Sequence, residues 1–551
     1  MDVVTNVYTA TGLVSVLLVA SNSAGEIATF TGQVDVTIVS APPYMYVSQS
    51  GSHAEPYDTW EKAATNLAAA IDIADDGIAI FVTNGVYGLT SQVLVDKGVT
   101  ITGVGDRDRV VFDGLDAVRC FYVTHGEAVL SGLTVTRGNA PGSGAAGSGG
   151  GFYLAADALV VDCVISNNHA NYRGGGVFCD GAGHLTNCVI VSNSTGNDDG
   201  GGVLLNTGGR LSECLILDNQ AADDGGGVQC EYGGTVLNCR INRNRANDKG
   251  GGVFARPASM VQNCLISDNE SSQWGGGYAY RRQGGGSDGM VVNCTIVSNA
   301  AATSGGGIRL HDGGIVMNYI VVSNAAPVSE NWLEVNAGMT YFNVCTYPSP
   351  GVSGIVTADP QFVDFAGGDY RIADTSPCVD TGTNAVAVLG YDLNGVPRPL
   401  DGNRNGTPVV DMGAFEFTGS LSDTDGDGMS DLWETQTGLD PTDGQGEHGS
   451  DADPDGDGLN NGGEFAADTH PFDPESLLEV ISVDDVPGGW QVSWRGGVDS
   501  SQFVEYVPDI AGATGDWNVV LTNLPPTDTS NSVIDTTTTL DQGFYRIRAV
   551  R

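Results

Sequence analysis

The sequence predicts an all-β chain built around a parallel β-helix, and three observations carry that prediction. Between Ser148 and Asn324 one unit recurs seven times: Gly-Gly-Gly, a short apolar stretch, a turn, then Asn-Cys-x-Ile-x-x-Asn or a close variant. The triplets begin at Gly149, Gly174, Gly200, Gly225, Gly250, Gly275 and Gly305. Cys163, Cys188, Cys214, Cys239, Cys264 and Cys294 step by 25, 26, 25, 25 and 30 residues, with Tyr319 in the seventh place. A fixed period of this size marks a solenoid. Within the unit, Leu237, Cys239 and Ile241 alternate with Asn238, Arg240 and Asn242, the period of two of a strand with one buried face. The unit is too rich in glycine for a pair of helices.

Coils stacked about 4.8 Å apart turn each repeated position into a ladder. Cysteine and isoleucine form the inward ladders. Asn168, Asn193, Asn219, Asn244, Asn269, Asn299 and Asn324 form a third, where each strand ends. Asparagine tolerates left-handed turn geometry, and its amide can bond to the Asn above and below. The Gly triplets mark a second corner, where the backbone bends without room for a Cβ. The one long step is filled by Arg281-Arg282-Gln283-Gly284-Gly285-Gly286.

This pattern resembles the bacterial right-handed parallel β-helix repeat family, including the Gly-Gly repeats of chlamydial polymorphic outer-membrane proteins. The resemblance covers residues 44 to 420. It implies an all-β, right-handed parallel β-helix over 43–345 with an N-terminal helix cap. Tyr46 to Ser52, then Thr59 to Ala64, look like the opening of such proteins, with an amphipathic helix from Trp60 to Ala74 shielding the first coil. Ile78 to Tyr87 and Gly98 to Val104 read as the first strands. At the far end, Gly368 to Ile372, Ser376 to Asp380 and Val410 to Glu416 are similar to the "choice-of-anchor" segment that closes many of these helices. They place a closing segment at 346–419. Ahead of the helix, Tyr8 to Val39 alternates strands with the turn Ser21-Asn22-Ser23-Ala24-Gly25. Residues 1–42 thus resemble the last strands of a PKD-type, immunoglobulin-like module, and the chain reads as a fragment of a longer exported protein without its signal peptide.

The chain has 551 residues, 80 of them glycine, and a formal charge of −44 with a pI near 4.1. Such acidity argues against nucleic acid and against anionic membrane surfaces. No segment approaches the roughly 20 apolar residues of a membrane span. An extracellular or bacterial cell-surface location follows as the expectation. Eleven cysteines in an exported chain ordinarily suggest disulfides. Here six share one inward ladder with Cβ atoms about 4.8 Å apart, beyond the disulfide optimum of about 3.8 Å. Cys179 and Cys230 take matching inward places in the first strand, two coils apart. The cysteines are therefore expected as free thiols filling the core.

Residues 420–475 carry the clearest chemistry. Asp423, Asp425, Asp427, Asp431 and Glu434 occupy loop positions 1, 3, 5, 9 and 12 around Gly428 at 6, and Asp453, Asp455, Asp457, Asn461 and Glu464 repeat the spacing around Gly458. Calcium takes six to eight hard oxygens, and a Glu at position 12 closes such a cage. Both copies resemble thrombospondin type 3 repeats, supported by Gly438-Leu439-Asp440-Pro441 and His470-Pro471-Phe472-Asp473-Pro474. The resemblance implies a calcium-stiffened stalk. Residues 476–551 return to strand alternation with Trp490, Trp494, Tyr506 and Trp517, and predict a small β-sandwich. Its tryptophans either fill a core or form a carbohydrate-binding face.

The family hosts pectate-type lyases and polygalacturonase-like hydrolases, so fold does not decide activity. The turn before each Gly triplet is expected to face solvent, and there Asp198-Asp199, Asp223-Asp224 and Asp248-Lys249 stack below Arg173. Like charges so close raise a pKa or demand a cation. A calcium ion there could hold a uronate while Arg173 or Lys249 takes the α-proton, or the aspartates could supply acid and base for hydrolysis. A plain hydrated acidic edge is the alternative. A second candidate lies at the end of the first strand, where Asp180, Glu231, Arg256, Arg281 and His311 replace one another beside Arg282, Tyr278 and Tyr280. Arginines there hint at ligand contact. The expected function is a secreted or surface-displayed calcium-binding scaffold that adheres to extracellular polysaccharide or cell-surface glycan. The alternative is a calcium-dependent polysaccharide lyase or glycoside hydrolase.

Overall fold

Three ladders of short parallel strands run the length of the repeat region. In the computed structural model residues 12–21, 27–36 and 44–550 are described, apart from 283–286, 337, 339, 350–353, 374, 385–389, 403–406, 419–422, 487–488, 498–500, 508–516, 524–529 and 536–543. The apolar stretch after each Gly triplet supplies a strand of a ten-stranded ladder, from Val93–Val95 to Trp332–Val335. The residues flanking each cysteine supply two strands to a second sheet, which starts at Tyr44–Val47 and includes Thr340–Thr346. The residues after each ladder asparagine form a third sheet of two-residue strands, from Asn139–Ala140 to Ala300–Ala301. The fold is the predicted parallel β-helix.

One detail of the repeat is corrected. The expected continuous strand through Leu237 and Cys239 is two strands, Thr235–Leu237 and Arg240–Asn242, with Asn238 between them at φ +49. That left-handed residue breaks the alternation. Val236, Cys239 and Ile241 therefore point into the core, and Leu237 points away from it. The ladder asparagines are not the left-handed residues either. The residue before each one is: Asn167, Ser192, Asp218, Arg243, Asp268, Ser298 and Ser323.

That turn aims each ladder asparagine inward. Asn219 Nδ2 donates to Asn244 Oδ1 at 2.9 Å and to Ile190 O at 2.9 Å, while its Oδ1 accepts from the backbone and side-chain nitrogens of Asn193. All seven are buried. Each amide thus satisfies backbone groups that the corner would leave unpaired. At the other corner the first glycine of each triplet has φ between +62 and +71, and a Cβ on Gly201 would lie 2.3 Å from the Gln220 carbonyl carbon.

The cysteines are free and buried, as predicted, and burial pushes the Cys179 and Cys230 thiols up to about 12. Cys179 pairs in register with Leu205 and Leu205 with Cys230, which sets those two thiols two coils apart.

Helix α1 (Leu67–Ile73) shields the first coil but is shorter than expected. Asn66 Oδ1 accepts from Ala69 N at 2.9 Å and starts the helix there. Residues 60–64 run back beside the first strand instead, with Ala64 N bonded to Tyr46 O at 2.9 Å and Trp60 resting on Tyr46. Lys97 Nζ caps the other end through the carbonyls of Ile71, Asp72 and Ala74.

The segment beyond residue 346 folds back over the outer face of the last coils. Arg398 and Glu416 form a fully buried ion pair at 2.8 Å, Arg398 also donates to Asn263, and Ala414 N donates to Thr295 Oγ1 at 3.0 Å. Helices α2 (Asp431–Thr437) and α3 (Asn461–Ala467) each follow an acidic loop. After them come two three-stranded antiparallel sheets, in which Trp494 is buried with Val492 and Val504. At the other end Gly12–Ser21 and Ile27–Val36 pair as an antiparallel hairpin. Residues 22–25 of the expected turn and 283–286 of the Arg281–Gly286 insertion lie outside the described residues.

Candidate functional site

The turns before the Gly triplets stack into two columns. Asp198, Asp223 and Asp248 form one; Arg173, Asp199, Asp224, Lys249 and Trp274 form the other. The expectation that these turns face solvent is corrected. Asp199 and Asp224 are buried, and Asp198, Asp223 and Asp248 are partly so. The left-handed glycine that follows is the reason, because it folds the turn back over the next strand; a Cβ on Gly200 would lie 2.8 Å from Leu204 Cβ.

Asp198, Asp199 and Asp223 each bring a carboxylate oxygen within 4.8 Å of the others, and so do Asp223, Asp224 and Asp248. Arg173 Nε donates to Asp198 Oδ2 at 2.8 Å. Lys249 Nζ lies 3.2 Å from Asp224 Oδ1 and pairs with Asp248 as well. Five carboxylates thus stand between two cations. Burial, then the charges of Asp198 and Asp224, push Asp199 up to about 8. Burial pushes Asp224 up to about 7 against the pull of Lys249, and it raises Asp223. Such a column can hold a hard cation or keep a protonated acid beside an ionised one.

The second edge is placed as predicted, since Cys230, Ala255, Tyr280 and Leu310 pair in register and carry Glu231, Arg256, Arg281 and His311 just beyond them. Most of its cations are paired with acids. Arg256 pairs with Glu231 at 2.8 Å, Arg282 with Asp288 at 3.4 Å and His311 with Asp312 at 2.5 Å. Arg281 is exposed. Tyr278 and Tyr280 are core residues.

The acidic loops assemble most of their predicted oxygens. Asp423, Asp425 and Asp427 bring carboxylate oxygens within 4.8 Å of one another, as do Asp453, Asp455 and Asp457. Glu434 and Glu464 arrive from α2 and α3, and each is wholly buried with neither carboxylate oxygen hydrogen-bonded. Buried oxygens of Asp425, Asp455 and Asp457 are likewise without a hydrogen-bond partner. Burial, then the neighbouring aspartates, push Glu434 up to about 7 and Glu464 to about 8. Unpaired buried carboxylates are costly without a compensating charge, and hard oxygens so arranged fit calcium.

Position 9 differs between the two loops. Asp431 takes Thr424 N and Thr424 Oγ1 at 2.7 Å each, so it closes its loop from the first turn of α2. Asn461 donates to the carbonyls of Glu447 and Gly449 and leaves a buried Oδ1 without a hydrogen-bond partner.

Two features escaped the sequence reading. The connector between the loops packs on the first one, where a Cβ on Gly444 would lie 3.1 Å from both Asp425 Cγ and Asp427 Cβ. The turn residues Asp443-Gly444-Gln445-Gly446 were its only signal. Trp274, at the end of the acid column, carries Lys249 and Arg309 over its ring at 5.5 and 4.3 Å from the centroid. Arg309 is far from Trp274 in sequence, so nothing local announced that contact.

A family model described as a right handed beta helix region matches residues 175–347, and the handedness expected from the resemblance holds there. Among solved structures the chain is similar to the pectate lyase Pel9A, at 17% identity and a TM-score of 0.47, over 68% of this chain and 96% of that one. It is also similar to the PL6 family alginate lyase AlyGC, at 10% identity and a TM-score of 0.33, over 55% of this chain and 53% of that one. Neither likeness bears on which residues act. No curated protein matches the chain.

Proposed function

We propose that this chain is a secreted or surface-displayed scaffold, a rigid β-helix on a calcium-stiffened stalk, that adheres to extracellular polysaccharide or cell-surface glycan. The observation that carries it is the pair Glu434 and Glu464, wholly buried with unbonded carboxylates behind three clustered aspartates each. Evolving such sites without a cation would leave negative charge desolvated twice over. The strong negative charge and the absence, among described residues, of any helix long and apolar enough to cross a membrane are compatible with it. The test is calcium titration of the full chain after chelation, followed by a glycan panel scored for both binding and cleavage. Two bound ions and glycan capture without new chain ends are expected. No calcium heat at millimolar concentration defeats the stalk, and no glycan binding defeats the adhesive role.

The acid column supports a second reading, a calcium-dependent polysaccharide lyase or glycoside hydrolase. Five aspartates between Arg173 and Lys249 could hold a cation that neutralises a uronate, with Lys249 or Arg173, once released from its partner and deprotonated, taking the α-proton. Under this reading a uronate polymer gains unsaturated or reducing ends, and Asp223→Asn abolishes that turnover without unfolding the helix. Turnover that survives joint replacement of Asp198, Asp223 and Asp248 would remove this column as the site.

A further inference from the structure

We infer that the C-terminal end of the β-helix carries a binding groove for a neutral saccharide, an inference that rests on the glycan-binding reading and gives it a location. The groove has a volume of about 620 Å³ and lies where the asparagine ladder runs out. There Asn331 stands in for the next ladder residue: its Oδ1 accepts from Asn324 N at 3.0 Å and from Asn324 Nδ2 at 3.1 Å. Its own Nδ2 donates to the carbonyl of Tyr347. The last rung of a rigid ladder therefore fixes the backbone that presents Tyr347, and that residue is 70% exposed.

The other aromatic wall comes from the closing segment. Phe365, 45% exposed, lines the same groove at the tip of the hairpin formed by Phe362–Asp364 and Asp369–Ile372. It is held by the rings of Tyr370 at 5.9 Å and Phe362 at 6.2 Å. The lining also includes the polar Glu330, Asp359 and Gln361 beside Val322, Ala358 and Pro360.

This combination selects the ligand. An exposed ring held by its neighbours offers a flat apolar face at little cost in conformational entropy, and the C–H face of a sugar ring covers such a surface. The rim of hydroxyls then needs acceptors and donors, which the Glu330 carboxylate, Asp359 Oδ2 and Gln361 Nε2 supply, Asp359 Oδ1 and Gln361 Oε1 being taken by Gln361 N and Thr375 Oγ1. A wholly apolar ligand would desolvate those carboxylates with nothing in return. An acidic sugar would meet the same carboxylates on a chain of formal charge −44. A neutral saccharide satisfies both conditions, and the volume falls in the range of small-ligand clefts. The groove is built from residues outside the acid column and outside the two calcium loops.

The test is titration of the full chain, with calcium present, against neutral gluco-, manno- and xylo-oligosaccharides, with polygalacturonate as the acidic comparator. A neutral oligosaccharide is expected to bind. Tyr347→Ala and Phe365→Ala should each weaken it about tenfold, whereas Tyr347→Phe, which keeps the ring, should stay within about twofold. Thermal unfolding of each variant separates lost contact from lost fold. Neutral-glycan binding unchanged in the Tyr347→Ala/Phe365→Ala double variant overturns the groove and leaves the glycan reading standing. Binding of polygalacturonate alone also overturns it. A wild-type chain that binds none of these sugars overturns the groove and the glycan reading together.

Discussion

Asp427 Oδ2 accepts a hydrogen bond from the Ser450 backbone at 2.7 Å, so a carboxylate of the first acidic loop holds the segment that leads into the second. Ser450 O in turn accepts from Gly462 N at the start of α3, at 2.9 Å. Behind the loops, Trp433 of α2 and Phe465 of α3 meet edge to face at 5.2 Å. The two loops are one packed unit, and cation binding at either should be felt by the other.

Calcium titration should therefore show two ions with coupled affinities. Glu434→Gln removes a closing ligand from the first loop and should cost that site most, while weakening the second to a smaller degree. Glu464→Gln should do the converse. Independent sites, each blind to the other's substitution, would contradict the coupling. Chelation should expose residues 420–475 to proteases and leave the β-helix folded, since its ladders are held by amide hydrogen bonds and apolar packing.

The pH dependence of the stalk follows from the same carboxylates. Glu434 and Glu464 are raised to about 7 and 8 by burial first and by neighbouring aspartates second. A carboxyl raised in the folded state stabilises the metal-free fold below its unfolded value, near 4.5, and that stability is lost as pH rises through 7 and 8. Metal-free chain should thus lose stalk protection on going from pH 5 to pH 9. Calcium competes with protons for these groups, so its affinity should climb over the same interval. Titration at a series of pH values checks both signs.

The acid column predicts a parallel effect in the β-helix. Asp199 and Asp224 are raised to about 8 and 7, chiefly by burial. Without a cation, stability should fall as pH rises through that range, and Asp199→Asn should raise the melting temperature at pH 9 while changing little at pH 5. Added calcium that abolishes the difference would mark the column as a cation site. A melting temperature flat with pH in the metal-free chain would contradict the raised values.

Asn219→Ala removes a side chain that joins the coils above and below. Asn193 N and Ile190 O would both lose their partners in a buried corner. The expected loss is about 2–4 kcal/mol, measured by denaturant unfolding. A loss below about 0.5 kcal/mol, the scale of an ordinary surface change, would show that the ladder contributes little.

The thiol ladder predicts chemical silence. Cys188, Cys214 and Cys239 should resist thiol reagents in the native chain and react after unfolding, because burial keeps the sulfurs out of reach. Cys214→Ala should cost about 1–3 kcal/mol through lost packing. Disulfide-linked peptides recovered under non-reducing conditions from these three would refute the arrangement.

What the sequence by itself determined was the repeat and the residues that stack in it. The step between cysteines set the coil length, and the ladder residues, the glycine corners and the spacing of acids at 423–434 and 453–464 needed only local geometry to be understood. Tertiary structure decided which way the turns fall. Asp199 and Asp224 look like surface residues in the chain, yet the left-handed glycine after each lays the turn against a strand and buries them. It decided that Val236 and not Leu237 faces the core, because a left-handed Asn238 resets the parity. It also brought Arg309 to Trp274, Ser450 to Asp427 and Phe365 to the end of the ladder. Those contacts join residues whose separation follows no repeat, and their free energy comes from packing between segments that a periodic pattern cannot encode.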